Sequence, residues 1–122
     1  MSWIQQFNAP IHLFQLMKGK VKDRGDTFSI GIYSKKEFSA KIQIFEHQTN
    51  EAVLETDIRS ALNVQFSTKE RRVFFDVNYN EKLYNFSLYF FSGNELRGFI
   101  RKYTICLIEI TTQVQVDETS DF

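Results

Sequence analysis

Apolar and polar residues alternate most regularly in the second half of the chain. Apolar side chains fill every second position at residues 73–79 and again at residues 84–90, with the polar stretch 80–82 between them. Alternation with a period of two places one side of a strand against a core and the other side in water. Two such segments joined by a short polar turn predict an antiparallel hairpin.

Five segments earlier in the chain also have strand character, because they alternate or are short apolar runs between turn residues. They cover residues 11–17, 27–33, 39–45, 52–55 and 62–66. The connections are short throughout, and no linker or internal repeat interrupts them. Seven strands of this kind predict one antiparallel sandwich or partly open barrel.

A single helix is predicted after the last strand. Residues 92–95, Ser-Gly-Asn-Glu, have the spacing of a capping box, and apolar residues then recur at steps of three and four as far as Ile110. We place the helix at residues 92–111. Gly98 inside it should cost about 1 kcal/mol relative to alanine, a cost that a close approach of the helix to the sheet would explain.

These elements make the fold class mostly β, an α+β arrangement of seven antiparallel strands capped by a C-terminal helix. A chain of 122 residues suits one domain, which we place at residues 11–112 after an N-terminal leader, residues 1–10, and before an acidic tail, residues 113–122. The leader lacks the features of a secretory signal, and the single cysteine, Cys106, forms no disulfide within the chain. We expect a cytoplasmic location.

Charge and composition exclude several classes of function. Lysine plus arginine equal aspartate plus glutamate at 15 each, so no global field draws the chain to nucleic acid or membrane, and any such binding needs a local patch. His12 and His47 are isolated, and Cys106 lies among apolar residues of the predicted helix. This pattern gives no metal-ligand cluster and no activated nucleophile. We expect no metal, no cofactor, no small-molecule substrate and no enzymatic activity.

One basic segment is a candidate for such a local patch. Cations recur there at every second residue, at Lys18, Lys20, Lys22 and Arg24. An extended hairpin with this spacing suits a phosphorylated lipid head group or successive phosphates of an RNA backbone. A charged, solvated strand edge is the simpler alternative. Two further basic pairs strengthen the anion-binding interpretation only if folding brings them beside the hairpin, and they are Lys35, Lys36, Arg71 and Arg72.

A second set of residues is a candidate for binding a protein partner. Trp3 and Phe7 are apolar residues in a short polar leader, so they either fold back on the domain or insert into a partner. Arg97 and Arg101 lie outside the apolar face of the predicted helix, four residues apart.

Three segments carry a resemblance to a known family. They are the pair Asn78-Tyr79 after a Phe-rich strand, the strand Asn-Phe-Ser-Leu-Tyr-Phe at residues 85–90, and the helix end at residues 103–109. Together with Ile-His-Leu-Phe at residues 11–14, they resemble the pleckstrin-homology-like (PH-like) domain of the vacuolar import and degradation protein family, although Ile108 stands where that family has an aromatic residue. The resemblance implies a fold similar to PH and Ran-binding domains, a cytoplasmic setting and a binding role.

The sequence therefore predicts a non-catalytic adaptor that recognises a protein, through the groove beside the helix or by adding a peptide strand to an open sheet edge. The alternative is an anion-binding module that docks on a ribonucleoprotein or a phosphoinositide membrane through residues 18–24.

Overall fold

The computed structural model describes residues 2–35 and 39–120, with only the backbone for Tyr79 and residues 112–120. Seven strands, a short 3₁₀ helix and one α-helix follow one another in this part of the chain. The strands are β1 (Ile4–Met17), β2 (Lys20–Lys35), β3 (Ser39–Glu46), β4 (Glu51–Asp57), β5 (Leu62–Ser67), β6 (Arg72–Tyr79) and β7 (Lys82–Phe90). The 3₁₀ helix is Ile58–Ser60 and the α-helix is α1 (Gly93–Ser120).

Strand β1 begins earlier than expected, at Ile4 rather than at residue 11. Residues 4–10, which we assigned to a leader, are part of the sheet and pair with β2. Ala9 is fully buried and Phe7 is half-buried, so the inward alternation of β1 continues through this part of the strand. Pro10 and the register shift between Gln5 and Phe7 interrupt this alternation, so the sequence pattern did not show it.

Strand β2 also begins earlier than expected. The segment that we interpreted as a basic hairpin, residues 18–24, contains only a two-residue turn, Lys18-Gly19, with φ angles of 51° and 76°. Positive φ at both central residues is the geometry of a type I′ turn, whose twist matches the strands that it joins. The remaining basic residues therefore lie within β2. The other five strands differ from their expected bounds by at most two residues.

All strand pairs are antiparallel, in the order β4-β3-β2-β1-β7-β6-β5. Strand β1 pairs with β2 along most of its length but with β7 only from Ile11 to Leu16. Register shifts in the β1–β2 ladder, on both sides of Leu13, mark bulges that bend the strands. Strands β4 and β5 are the two ends of this order, so the sheet is a partly open barrel, as predicted.

Helix α1 starts as predicted and runs past the expected end. The Ser92 hydroxyl accepts a hydrogen bond from the Glu95 backbone N–H at 3.1 Å and donates one to the Glu95 carboxylate at 3.1 Å. The helix backbone then continues to Ser120, through most of the segment that we interpreted as an acidic tail. Residues 112–120 contain no glycine or proline that would end a helix.

The apolar face of α1 closes one end of the barrel. Leu96, Phe99, Tyr103, Cys106 and Ile110 are buried on this face. The Phe99 ring lies at the centre of an aromatic cluster, with ring centroids 5.8 Å from Phe7, 5.6 Å from Phe90 and 6.0 Å from Tyr103. The helix is therefore fixed to both β1 and β7 by the same side chain.

Replacement of Phe99 tests how much stability this cluster provides. We expect Phe99→Ala to lower the free energy of unfolding by about 3–5 kcal/mol, because it removes a fully buried ring and leaves a cavity. Phe91→Ala is the matched control, because Phe91 is 49% exposed, and it should cost only about 0.5 kcal/mol. Urea denaturation measures both values, and equal losses would contradict the assignment of Phe99 to the centre of the cluster.

Candidate protein-binding site

A groove of about 320 Å³ lies between the N-terminal half of β1 and the first turns of α1. Phe7 from β1 forms one wall, and residues of the helix form the rest of the lining: Asn94, Arg97, Gly98, Arg101 and Lys102. Three of the four predicted partner-binding residues, Phe7, Arg97 and Arg101, therefore meet at one site. We call this site the helix groove.

The helical repeat explains how the groove is built. Arg97 and Arg101 are one turn apart on the exposed side of α1, and the Arg97 guanidinium donates a hydrogen bond to the Asn94 side-chain carbonyl. Gly98 lies against Phe7, and a β-carbon added at Gly98 would lie 3.0 Å from Phe7 Cε1. The predicted close approach of helix and sheet at Gly98 is confirmed. A β-carbon there would require the Phe7 ring to move by a few tenths of an ångström.

The groove is cationic. None of the ion pairs within residues 2–35 and 39–111 includes Arg97, Arg101 or Lys102. Their charges lie beside the half-buried ring of Phe7, which supplies an apolar contact. An acidic segment with one apolar side chain complements both features, since carboxylates accept paired hydrogen bonds from arginine.

Sequence reasoning missed Asn94 and Lys102 as groove residues. The spacing did contain the signal, because Asn94, Gly98 and Lys102 follow one another at steps of four, next to Arg97 and Arg101.

Trp3, the fourth predicted partner-binding residue, lies outside the groove. Its ring makes cation–π contacts with two ammonium groups, with Nζ of Lys35 at 4.6 Å and Nζ of Lys41 at 4.4 Å from the ring centroid. Lys41 in turn binds the Glu55 carboxylate at 2.6 Å. Trp3 therefore folds back on the sheet, and Lys35, which we had placed with the anion-binding candidates, contacts Trp3 instead.

The four cations of residues 18–24 are three exposed lysines and one arginine that is directed inward. Lys18, Lys20 and Lys22 are exposed at the tip of the β1–β2 hairpin. In the β1–β2 ladder Leu13 pairs with Gly25 and Phe14 pairs with Asp23, so Arg24 is the extra residue of a bulge.

This bulge directs the Arg24 side chain inward. Arg24 Nη1 donates to Gln15 Oε1 at 2.5 Å, and Gln15 is buried. The bulge itself is held by the Gly25 N–H, which donates to the Asp23 carboxylate at 2.9 Å, and by the positive φ of Gly25. Alternation alone had grouped Arg24 with the exposed lysines.

Arg71 and Arg72 do not join the hairpin tip. Arg71 donates to the Phe91 carbonyl at 3.1 Å. The Arg72 guanidinium donates a hydrogen bond to the Tyr89 hydroxyl, and its central carbon lies 4.0 Å from the centroid of the Phe74 ring.

The ladder keeps these arginines away from the hairpin lysines. Arg72 and His12 both pair with Tyr89, so Arg72 lies level with His12 in the sheet. His12 is five residues before Met17, the end of β1, which is about 17 Å along the strand. Lys36 lies outside the described residues. The described anion-binding candidates thus occupy separate places on the surface rather than one patch.

Two titratable groups on the described part of the helix have shifted pKa values, and neither is an activated nucleophile. Burial raises the pKa of the Cys106 thiol, and the nearby Glu109 carboxylate adds to this effect. Burial also raises the pKa of Tyr103. Both groups therefore stay protonated at neutral pH.

Among the side chains that the structure describes, residues 2–35 and 39–111 without Tyr79, no three of His, Cys, Asp or Glu gather in a way that would hold a metal ion. No helix in this part of the chain is long and apolar enough to cross a membrane.

A partly open seven-stranded antiparallel barrel, closed at one end by a C-terminal helix, defines a PH-like domain. Solved structures of the Ran-binding domain from the nuclear complex component Nup2 of Ashbya gossypii share this fold. One matches with a TM-score of 0.72 and 12% identity over 87% of this chain and 96% of that chain. Another matches with a TM-score of 0.69 and 14% identity over 84% and 95%. At this level of identity the likeness shows the fold.

The sequence itself matches the VID27 PH-like domain over residues 2–110. The chain belongs to this family, which confirms the resemblance seen in the sequence. No curated protein matches the chain.

The raised pKa of Cys106 has a measurable consequence. We expect the thiol of the folded protein to react with a colorimetric disulfide reagent at least about ten times more slowly than in guanidinium, because burial limits both access and thiolate formation. The rate in the folded state should rise only as the pH passes above the ordinary range of thiol pKa values. Equal rates in the folded and unfolded protein would contradict the burial of this side chain.

Proposed function

We propose that this domain is a non-catalytic protein-binding module whose helix groove recognises an acidic segment of a partner. The observation that carries the proposal is the set of three cations without ion-pair partners among the described residues, beside the apolar wall of Phe7. The guanidinium groups of Arg97 and Arg101 would bind carboxylates of the segment, and one apolar side chain would pack against Phe7.

The fold supports a protein partner. The structures that share it are named as Ran-binding domains, so the same scaffold serves protein recognition in those molecules. A shared scaffold carries different sites in different proteins, so the helix groove rather than the fold determines the partner that we propose. The expected compartment remains the cytoplasm.

The hairpin tip supports a second candidate function. Lys18, Lys20 and Lys22 are exposed, and no ion pair within the described part of the chain includes them. They would contact the phosphates of a ribonucleoprotein or a phosphoinositide membrane. Because the inward Arg24 and the distant Arg71 and Arg72 do not add to this patch, we place this function second.

Two charge-reversal variants separate the candidates. Peptides are selected from a displayed random library against the wild-type domain, and their affinities are measured by fluorescence anisotropy. We expect acidic peptides with a single large apolar residue. Arg97→Glu/Arg101→Glu should weaken their binding by more than about tenfold, because two attractive charges become repulsive. Lys20→Glu/Lys22→Glu carries the same change of charge at the hairpin tip and should leave the affinity within about twofold.

Circular dichroism confirms first that both variants fold. Loss of binding in the hairpin variant alone, with a steep dependence on salt, would support the anion-binding function instead. Unchanged binding in the groove variant would overturn the assignment of the helix groove.

A further inference from the structure

A separate cavity of about 480 Å³ opens on the uncapped side of the barrel. Residues of β4 line one side, residues of β6 and β7 line the other, and Gln15 and Arg24 lie between them. The lining consists of Gln15, Arg24, Ala52, Val53, Leu54, Glu55, Val77, Tyr84 and Phe86. Its volume falls within the range of about 300–1,000 Å³ typical of sites for small molecules. We call this site the barrel cavity.

The cavity exists because the sheet does not close. Strands β4 and β5 end the strand order without pairing to each other, which leaves space between β4 and the β6–β7 hairpin. Val53, Leu54 and Tyr84 pack against the core while remaining partly exposed. They give the cavity apolar walls, and the buried side chains of Val77 and Phe86 lie beneath them.

Arg24 supplies the positive charge of the barrel cavity. The β2 bulge directs its side chain inward, the buried Gln15 carbonyl accepts one of its N–H groups at 2.5 Å, and the Phe28 ring centroid lies 5.9 Å from the guanidinium carbon. These contacts fix the guanidinium and leave other N–H groups free of hydrogen bonds to the described residues.

The charge of Arg24 is not neutralised by the acid at the same cavity. Glu55 is the acidic residue of the lining, and its carboxylate accepts a hydrogen bond from Lys41 Nζ at 2.6 Å. No ion pair within residues 2–35 and 39–111, where side chains are described, includes Arg24. A fixed cation at the edge of an apolar cavity, without a counter-charge, attracts an anion that also has an apolar body.

We propose that the barrel cavity binds a small amphipathic monocarboxylate. The carboxylate pairs with the Arg24 guanidinium, and the aliphatic or aryl body packs against Val53, Leu54 and Tyr84. A single negative charge matches the single guanidinium, whereas a phosphate dianion would leave one charge uncompensated close to Glu55.

The barrel cavity and the helix groove are independent sites. Gln15 and Phe7 are eight residues apart on β1, which is about 26 Å along the strand. The proposed ligand also differs in class from the acidic segment proposed for the groove. One proposal can therefore fail without the other.

Titration with decanoate below its micelle concentration tests the proposal, monitored by two-dimensional ¹H–¹⁵N NMR. We expect saturable shifts of the backbone amides of Val53, Leu54 and Val77. Decanol has the same chain without the charge and should bind at least about tenfold more weakly. Decyl phosphate should bind no more tightly than decanoate.

Arg24→Met removes the cation and keeps a long apolar stem, and we expect it to weaken decanoate binding by at least about tenfold. Lys69→Met is the matched control, because it removes the same charge from an exposed side chain outside the cavity lining, and it should have no effect. Leu54→Trp keeps Arg24 and fills the cavity, so it should abolish binding even if Arg24→Met fails to fold.

Three results would overturn the proposal. They are equal affinities for decanoate and decanol, unchanged binding in Leu54→Trp, and shifts confined to the helix groove around Phe7 and Gly98. Much tighter binding of decyl phosphate would overturn the assignment of a monocarboxylate.

Discussion

The pairing of β1 with two neighbouring strands is the constraint on which the rest of the molecule depends. Its fourteen residues place alternate side chains inward from Phe7 to Gln15, and the same strand carries β2 on one edge and β7 on part of the other. A shift of one residue would turn this entire set of side chains toward water, so the register is strongly specified. The bulges beside Leu13 bend the ladder and allow one continuous sheet to enclose a core.

Both proposed sites lie where this regular arrangement is interrupted. The helix groove lies beside the part of β1 that pairs with β2 but not with β7, so that α1 reaches Phe7 directly. The barrel cavity lies where β4 and β5 fail to meet, next to the bulge that turns Arg24 inward. A regular ladder pairs the backbone N–H and C=O groups of neighbouring strands. Where the ladder is interrupted, side chains such as those of Phe7 and Arg24 line the space that is left.

Local patterns predicted much of the fold because they act over short distances. Alternation located β3, β6 and β7, and the Ser92–Glu95 spacing located the start of α1. The first half of β1 was missed because Pro10 and the register shift between Gln5 and Phe7 interrupt its alternation, and proline within a run argues against a strand. The end of α1 was missed because β-branched residues have low intrinsic helix propensity, although nothing in the segment ends a helix.

The two sites could not be predicted from any single segment of the sequence. Phe7, Arg97 and Arg101 were recognised separately as partner-binding candidates, but their convergence depends on the packing of α1 against β1, about ninety residues apart in the chain. The inward direction of Arg24 depends on a bulge, and a single inserted residue changes which face a side chain occupies.

Phe7 belongs both to the aromatic cluster around Phe99 and to the wall of the helix groove. The strand segment that carries it has hydrogen-bonded strand pairing on one edge only, so its detachment from α1 would be a local opening that leaves the rest of the sheet intact. A ligand that packs against Phe7 in the helix groove needs the closed arrangement, so any fraction of molecules with this strand end open would lower its apparent affinity. A stronger Phe7–Phe99 contact therefore makes this strand end more rigid and raises the apparent affinity of the helix groove for its partner.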